Sequence, residues 1–339
     1  MRLLMEGESL FSFIDSLDPE FVPKMLPHRE AQQEAIAACI KPMLEGYRGR
    51  HALVTGKAGI GKTATVKRML ADLKEEHDVL VVFVNCWKKN SSFKILSEAC
   101  HQLGYQFTHN LGTDEVLSKI SRIVGDRGLV LALDEVDKSQ DADYLYYLAE
   151  EVKNLVLVMI TNDPDWFVQV DPRIRSRIIP ETILFKPYSL EEMQDVLKLR
   201  RDYAFYDGTW SEDAFMLVVK KAYEDRDVRT GIILLREAGL EAEKDASIKV
   251  LKKHVENAAS RLLSPSTPAL DEDEKLILKA VPEEGGLAGS VYEKYLSLGG
   301  KKSQRTFERK IKALEEKGLL KTERTGKGFR GQSTKIIPK

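Results

Sequence analysis

The segment TGKAGIGKTAT at residues 55–65 constrains the fold of this chain more than any other feature. It completes the pattern G-x-x-x-x-G-K-[ST] with Gly56, Gly61, Lys62 and Thr63. Glycines in this pattern let backbone N–H groups converge on phosphate oxygens, and the positive end of the next helix adds to the attraction. The lysine would reach the β- and γ-phosphates of a nucleotide, and the threonine hydroxyl would ligate Mg²⁺. The alternative is a Gly-rich turn before a surface helix.

Apolar runs rich in β-branched residues surround this loop and are separated by helical patterns such as 62–75 and 93–103. Short apolar runs that alternate with helices are typical of a parallel sheet covered on both faces. The sequence therefore predicts an α/β fold with a doubly wound sheet, which is the architecture that a phosphate loop requires. The runs lie at 51–56, 79–86, 128–137, 154–163 and 182–189.

The composition is that of a globular protein. The chain has 339 residues, enough for two or three domains, with 43% hydrophobic and 31% charged residues. Its three cysteines, Cys39, Cys86 and Cys100, lack C-x-x-C spacing, which argues against a disulfide framework or a zinc site. The sequence contains no apolar run of about 18 residues, and its acidic N-terminus differs from a secretory signal. We therefore expect a cytoplasmic protein with no membrane partner.

Charge is distributed unevenly along the chain. The stretch 294–339 holds 14 Lys and Arg against 4 Asp and Glu, whereas the preceding residues hold 38 against 49. A basic end on an acidic body suggests a polyanionic partner for that end, although such a charge run is often only a solvated surface.

Beyond Tyr188 the β-branched runs stop, and 189–263 has the pattern of helices throughout. Ser189 and Glu192 form a capping-box pair at its start. The stretch SPSTPALDEDE at 264–274 is rich in proline and turn formers and indicates a linker. We therefore predict three domains: a nucleotide-binding domain at 1–188, a helical domain at 189–263, and a linker with a third domain at 264–339.

The third domain has the pattern of a winged helix. Helices are predicted at 272–281, 287–298 and 303–318, with the last capped by Ser303 and ended by Gly318, and two strand-like runs, 319–324 and 333–338, then flank a Gly-rich loop. Such a unit can place its third helix in the major groove of duplex DNA and its wing along the backbone. The alternative is a winged helix that binds protein.

The third predicted helix separates apolar from basic residues. Phe307, Ile311 and Leu314 share one face. The predicted DNA-binding residues are Lys302, Arg305, Arg309 and Lys312 on the opposite face, with Lys327 and Arg330 in the wing.

Polar residues end two of the apolar runs. Asp134 would hold Mg²⁺, and Glu135 would orient or deprotonate the attacking water. Asn162 ends the next run, where its amide could bind the γ-phosphate or position the water, or merely cap the strand.

Arginines supply further candidates. DPRIRSRI at 171–178 contains Arg173, Arg175 and Arg177, which are candidates for an arginine finger that reaches the site of a neighbouring subunit, or simply for a basic surface loop. Arg229 lies where a helix could fold over the nucleotide and report which nucleotide is bound.

In their order, these motifs resemble those of the AAA+ replication initiators of archaea, which are related to eukaryotic origin-recognition-complex subunits and the replication-licensing loader. The resemblance covers nearly the whole chain and also includes GYQFTHNLGTDE at 104–115, which is similar to the family's DNA-contacting insertion. The motifs are LPHREAQ (26–32), GKAGIGKT, LDEVD, ITND, DPRIRSRI, RDVRTGIILLREAG and the winged helix.

The resemblance implies an AAA+ ATPase domain, a helical lid domain and a C-terminal winged helix, with ATP or ADP and Mg²⁺ as cofactors. It implies catalytic roles for Lys62, Glu135, Asn162, and Arg177 or Arg173, and Mg²⁺ ligation by Thr63 and Asp134. The implied nucleotide-binding residues are Pro27, His28, Arg29, Gly56, Lys57, Ala58, Gly59, Ile60, Gly61, Lys62, Thr63, Ala64, Tyr188 and Arg229.

Two positions depart from the family's pattern. Many archaeal members have Ser-Ser where this chain has Ser176 and Arg177, so the finger could be Arg177 or Arg173. The lid motif usually begins Gly-Asp-x-Arg, and Arg226 here replaces the glycine.

The function implied is that of a slow, Mg²⁺-dependent ATPase that binds double-stranded origin DNA, helps load the replicative helicase and works with other initiator subunits in the nucleoid. The alternatives are a nucleotide-switched transcription regulator and a clamp-loader-like remodelling ATPase.

Overall fold

A computed structural model gives the structure of the chain. It describes residues 9–263, 271–282, 285–316, 319–324 and 334–338. The chain divides into two compact units, Met1–Ala258 and Ala259–Lys339.

The first unit is built on a sheet of five parallel strands in the order β2-β3-β4-β1-β5. The strands are β1 (Ala52–Thr55), β2 (Leu80–Asn85), β3 (Leu129–Asp134), β4 (Leu155–Thr161) and β5 (Glu181–Leu184). The central strands β3 and β4 are buried at every position, as their continuous apolar sequences predict. The predicted α/β class is confirmed.

Helices cover both faces of this sheet, and a separate hydrophobic core lies on each face. They are α1 (Glu30–Leu44), α2 (Lys62–Glu76), α3 (Ser92–Gln102), α4 (Thr113–Val124), α5 (Asp143–Glu151), α6 (Trp166–Gln169) and α7 (Pro172–Arg177). The segment that resembles a DNA-contacting insertion, 104–115, is the connection between α3 and α4 together with the first residues of α4. Its DNA contact stays a prediction.

Four helices follow in the region predicted to be helical: α8 (Leu190–Ala204), α9 (Glu212–Asp225), α10 (Val228–Lys244) and α11 (Lys252–Leu263). The capping box at Ser189 and Glu192 is present, with both of its reciprocal hydrogen bonds. Arg226 ends α9 with φ of 56°, in the left-handed region that favours glycine. The glycine that the family usually has here therefore suits the backbone conformation.

The N-terminal strap, residues 9–29, was predicted only at its end, where Pro27, His28 and Arg29 belong to the motif at 26–32. It contains a short 3-10 helix at Ile14–Leu17 and lies against α8 and α10. The Ser12 amide donates to the Ala204 carbonyl at 2.9 Å, and the Phe11 and Phe205 ring centroids are 4.5 Å apart. These contacts attach the strap to the helices rather than to the sheet.

The second unit contains α12 (Glu272–Ala280), β6 (Gly286–Leu287), α13 (Ala288–Ser297), α14 (Gln304–Glu316), β7 (Leu320–Arg324) and β8 (Thr334–Pro338). The strands form an antiparallel sheet in the order β6-β8-β7. This arrangement is the predicted winged helix. Phe307, Ile311 and Leu314 are buried in its core, as the helical pattern predicts. The predicted helix end at Gly318 lies outside the described residues.

The predicted domain boundaries at 188/189 and 263/264 stay predictions. Across the described parts of the chain, no helix combines the length and the apolar character needed to cross a membrane.

Candidate nucleotide-binding site

A cavity of about 480 Å³ lies where the carboxyl ends of the parallel strands meet the phosphate loop, the strap and the helical region. Several residues predicted to bind nucleotide or metal, or to act in catalysis, line it together. They are Pro27, Ala58, Gly59, Gly61, Lys62, Thr63, Ala64, Asp134, Glu135, Asn162, Tyr188 and Arg229.

The phosphate loop depends on glycine at three positions, because Gly56, Gly59 and Gly61 all have positive φ. Gly61 has φ of +92° immediately before α2, so a side chain there would be strained. Gly59 has φ of +72°, and a Cβ on it would lie 2.1 Å from the Asp227 carboxyl carbon. The Gly59 carbonyl also accepts a hydrogen bond from the Val228 amide at 3.0 Å. The loop therefore contacts the start of α10 directly.

The Lys62 ammonium group is folded into this loop. It donates to the carbonyls of Gly56 at 2.7 Å and Lys57 at 2.6 Å, and to Asn162 Oδ1 at 2.8 Å. Burial lowers the pKa of Lys62 to about 8, and the nearby Arg229 acts in the same direction while Asp134 opposes it. The structure thus brings together the lysine and asparagine that the sequence assigns to the γ-phosphate.

The Thr63 hydroxyl and the carboxylates of Asp134 and Glu135 line the same part of the cavity. Thr63 Oγ1 donates to Asp134 Oδ1 at 3.0 Å. Burial raises the pKa of Asp134, and the neighbouring Glu135 raises it further, against hydrogen bonds from Thr63 and Asn85 that lower it. Glu135 has φ of 52° and ψ of 45°, a left-handed conformation that costs free energy in a non-glycine residue.

Asn85 belongs to this cluster although the sequence analysis did not select it. Its Nδ2 lies 3.3 Å from Asp134 Oδ2 and 3.3 Å from Glu135 Oε2. The sequence could have identified Asn85, because this residue ends an apolar run, and the carboxyl ends of neighbouring parallel strands meet at one edge of the sheet.

The donor set fits Mg²⁺ bound together with a nucleotide. No cluster of three or more His, Cys, Asp or Glu ligands occurs among the residues that the structure describes. Mg²⁺ is usually held by one or two protein oxygens, with phosphate oxygens and water completing its octahedron. The Thr63 hydroxyl and the Asp134 carboxylate provide two such oxygens.

Two of the predicted nucleotide-binding residues lie outside the cavity lining, and one of them, Arg29, supports the loop. The Arg29 guanidinium donates to the Ile60 carbonyl at 2.9 Å and the Lys186 carbonyl at 3.1 Å, and its carbon lies 3.6 Å from the centroid of the Tyr188 ring. His28 Nε2 lies 2.9 Å from Asp195 Oδ2 in α8. The remaining loop residues, Gly56, Lys57 and Ile60, contribute backbone to the loop.

Residues missed by the sequence analysis complete the cavity. Arg200 of α8 lines it, as does the strap between Pro19 and Leu26. Periodicity carries no signal for such an irregular segment, because neither its conformation nor its partner follows from a repeating pattern.

The arginines at 173–177 lie in α7, which contributes no residue to the cavity lining. Arg177 pairs with Glu150 at 2.7 Å, and Arg173 pairs with Asp171 at 3.1 Å. The structure therefore does not bring them to the site of their own chain.

In the second unit, the predicted DNA-binding side chains on α14 are exposed: Arg305, Arg309 and Lys312. Lys302 precedes the helix, is also exposed and lies 3.8 Å from Asp273. Lys327 and Arg330 lie outside the described residues.

Residues 45–163 match the family model of the AAA domain, and residues 194–260 match that of the Cdc6 AAA+ ATPase-type lid domain. Together with the parallel sheet and the phosphate loop, these matches define the class of protein as an AAA+ ATPase with a lid.

The chain is 30% identical to ORC1-type DNA replication protein 2 of Methanothermobacter thermautotrophicus, over 99% of this chain and 94% of that protein. It is 29% identical to the ORC1-type DNA replication protein of Pyrococcus abyssi, over 98% and 88%. It superimposes with a TM-score of 0.72 and 25% identity on the Aeropyrum pernix ORC1 protein, whose structure was solved in complex with DNA, over 97% and 93%. This chain belongs to the family of ORC1-type DNA replication proteins, which confirms the resemblance seen in its motifs.

Proposed function

We propose that this protein is an ATP-dependent initiator of DNA replication that binds duplex DNA at an origin and helps load the replicative helicase. The observation that carries the ATP-dependent part is the cluster around the phosphate loop, in which Lys62 Nζ lies 2.8 Å from Asn162 Oδ1 and Thr63 Oγ1 lies 3.0 Å from Asp134 Oδ1. Membership of the family of ORC1-type DNA replication proteins supports the role in replication.

In this proposal, ATP binds in the cavity and is hydrolysed slowly. Thr63 and Asp134 hold Mg²⁺, which when bound neutralises charge on the phosphate oxygens. Lys62 replaces its hydrogen bonds to the carbonyls of Gly56 and Lys57 with hydrogen bonds to phosphate oxygens. Glu135 accepts a proton from the attacking water, and Asn162 orients that water.

Two substitutions separate these roles. Lys62→Ala should abolish ATP binding, because it removes contacts made in the ground state, whereas Glu135→Gln should bind ATP and lose hydrolysis. Lys74→Ala at the exposed far end of α2 is the matched control and should change neither. Titration with ATP and a phosphate-release assay measure both quantities. Equal loss of binding in the two variants would contradict the assignment.

The slow rate follows from an arginine finger that a neighbouring subunit supplies from α7. In the single chain, Arg177 is held by Glu150 and must leave this pair to reach another subunit. Arg177→Ala protein added to the wild-type assembly should lower turnover with unchanged affinity for ATP in each subunit. Unchanged turnover would mean that Arg177 is not the finger. Arg173, whose side chain is 84% exposed, would then be the remaining candidate in α7 and would be tested in the same way.

DNA binding by the second unit is supported by the exposed cations of α14. Arg305 and Arg309 lie one turn apart, so both can reach base edges, where a bidentate contact with guanine discriminates by about 1–3 kcal/mol. Arg305→Ala should therefore reduce the ratio of origin to random duplex affinity. Lys327→Ala in the wing should weaken both alike and lower the salt slope by about 1. Lys279→Ala, on the exposed side of α12, is the control.

Mapping the sites that the protein occupies on its genome tests the cellular role. A few loci that coincide with replication starts are expected. Scattered promoter sites would instead identify a transcription regulator, and binding to protein without DNA would identify a remodelling ATPase.

A further inference from the structure

The strap forms a wall of the cavity, and a buried arginine adds two hydrogen bonds to the contacts that attach the strap to the helical region. Arg200 lies in α8 and is 6% exposed. It donates through Nη1 to the Ser16 carbonyl at 2.8 Å and through Nη2 to the Phe21 carbonyl at 2.7 Å. Its guanidinium carbon also lies 5.2 Å from the centroid of the Phe21 ring. One side chain therefore fixes two points of the strap.

The charge of Arg200 is compensated in an unusual way. Across the described ranges of the chain, no carboxylate pairs with it, and burial without such a partner lowers its pKa to about 10. A buried charge is costly unless hydrogen bonds compensate it. The two strap carbonyls provide that compensation only while the strap lies against α8, so the conformation of the strap and the burial of Arg200 are mutually dependent.

The lining of the cavity divides by chemistry. The phosphate loop and the strand ends contribute lysine, threonine and carboxylates, which suit a metal-bound phosphate. The strap contributes Phe21, Val22 and Leu26, and α8 contributes Val196 and Leu199, which together make an apolar wall. An aromatic base is the part of a nucleotide that suits such a wall.

We propose that Arg200 is a positioning residue for the nucleobase end of the site. It holds the strap on α8, so that the apolar wall moves with this helix and the base binds a surface shared by strap and helix. The inference rests on the proposed function, because it requires that a nucleotide occupies the cavity.

Two probes separate the base from the phosphates. Mg²⁺-ADP uses the whole cavity, whereas Mg²⁺-pyrophosphate uses only the phosphate end. Arg200→Gln should lower the affinity for ADP by about tenfold or more, since charged hydrogen bonds of this kind contribute that much, and leave the affinity for pyrophosphate within about twofold. Arg200→Lys can reach only one carbonyl and should give an intermediate loss of ADP affinity.

The neighbouring arginine provides a matched control. Arg201 lies in the same helix and pairs with Asp202 at 2.8 Å, with its guanidinium carbon 4.5 Å from the Phe215 ring centroid, so it does not hold the strap. Arg201→Gln should leave both affinities unchanged. Should Arg200→Gln fail to fold, Phe21→Ala tests the same wall from the strap side and should show the same selective loss for ADP.

The outcomes distinguish failure of the positioning role of Arg200 from failure of the proposed function. Equal losses for ADP and pyrophosphate, or an unchanged ADP affinity in folded Arg200→Gln, would overturn the positioning role and leave the proposed function standing. A wild-type protein that binds neither probe, or whose binding is insensitive to Lys62→Ala, would overturn the proposed function itself.

Discussion

His51 makes the stability of the first unit depend on pH in a way that can be calculated. It precedes β1 and is 7% exposed. Its Nδ1 accepts a hydrogen bond from the Leu157 amide in β4 at 3.1 Å, which requires an unprotonated nitrogen at that position. Burial lowers the pKa of His51 to about 4, and the nearby Arg48 acts in the same direction. The folded protein therefore holds this imidazole neutral.

The size and direction of the effect follow from linkage. The unfolded chain binds the proton with a pKa of about 6.5, whereas the folded chain binds it only near pH 4. The stabilising contribution is therefore complete above about pH 6.5 and is lost as the pH falls towards 4. At about 1.4 kcal/mol per pKa unit, the full loss is about 3 kcal/mol, of which about 2 kcal/mol occurs between about pH 7.5 and about pH 5.

His51→Asn isolates this contribution, because the asparagine carbonyl can accept from the Leu157 amide but does not titrate. Urea unfolding followed by tryptophan fluorescence reports on the first unit alone, since Trp87, Trp166 and Trp210 all belong to it. Between about pH 7.5 and about pH 5, the variant should lose about 2 kcal/mol less unfolding free energy than the wild type. His77→Asn, at an exposed histidine, should behave as the wild type. An identical pH dependence in His51→Asn and the wild type would refute the reasoning.

Three further predictions follow from the first unit. Arg226→Gly should raise the unfolding free energy by about 1 kcal/mol, because the left-handed conformation at φ of 56° strains a side chain; a loss in urea unfolding would contradict this. Asn85→Ala should lower the rate of ATP hydrolysis by about tenfold with little change in ADP affinity, because its amide orients Asp134 and Glu135; an unchanged rate in a steady-state assay would exclude that role. Arg29→Lys should lower the unfolding free energy by about 2 kcal/mol in thermal and urea unfolding and should also weaken nucleotide binding, since lysine cannot both stack on Tyr188 and donate the same hydrogen bonds. An unchanged unfolding free energy would show that the loop does not need this support.

The parts of the fold that the sequence predicts well are those where periodicity and local chemistry agree. The strands β3 and β4 are continuous apolar runs, and buried parallel strands require such runs. The capping box at Ser189 and Glu192 is a local interaction within one turn, so its four residues are sufficient to identify it. Phe307, Ile311 and Leu314 recur at helical spacing, and all are buried.

The contacts that could not be predicted are those between segments distant in sequence that carry no repeating pattern. Arg200 and Phe21 are separated by 179 positions, and the guanidinium contacts a backbone carbonyl, which every residue possesses. The types of the residues along the chain therefore do not indicate which carbonyl such a side chain contacts. The pairing of Arg177 with Glu150 joins two helices in the same way, and nothing in either local sequence identifies it. The sequence predicts an arginine finger at Arg177 or Arg173, but it does not predict the partner of Arg177 in the single chain.

A direct hydrogen bond beside the cavity connects the phosphate loop to the helical region. The Gly59 carbonyl accepts from the Val228 amide at 3.0 Å, and Arg229, one residue further, lines the cavity beside Lys62. A ligand shifts a conformational equilibrium only through contacts that differ between the two conformations. The γ-phosphate would meet Lys62 and Arg229 together, whereas ADP lacks that group. Because Arg200 attaches the strap to α8 in the same helical region, a change of orientation begun at the phosphate would also move the wall that receives the base. The position of the helical region, rather than the sheet, is therefore where the difference between ATP and ADP should be expressed.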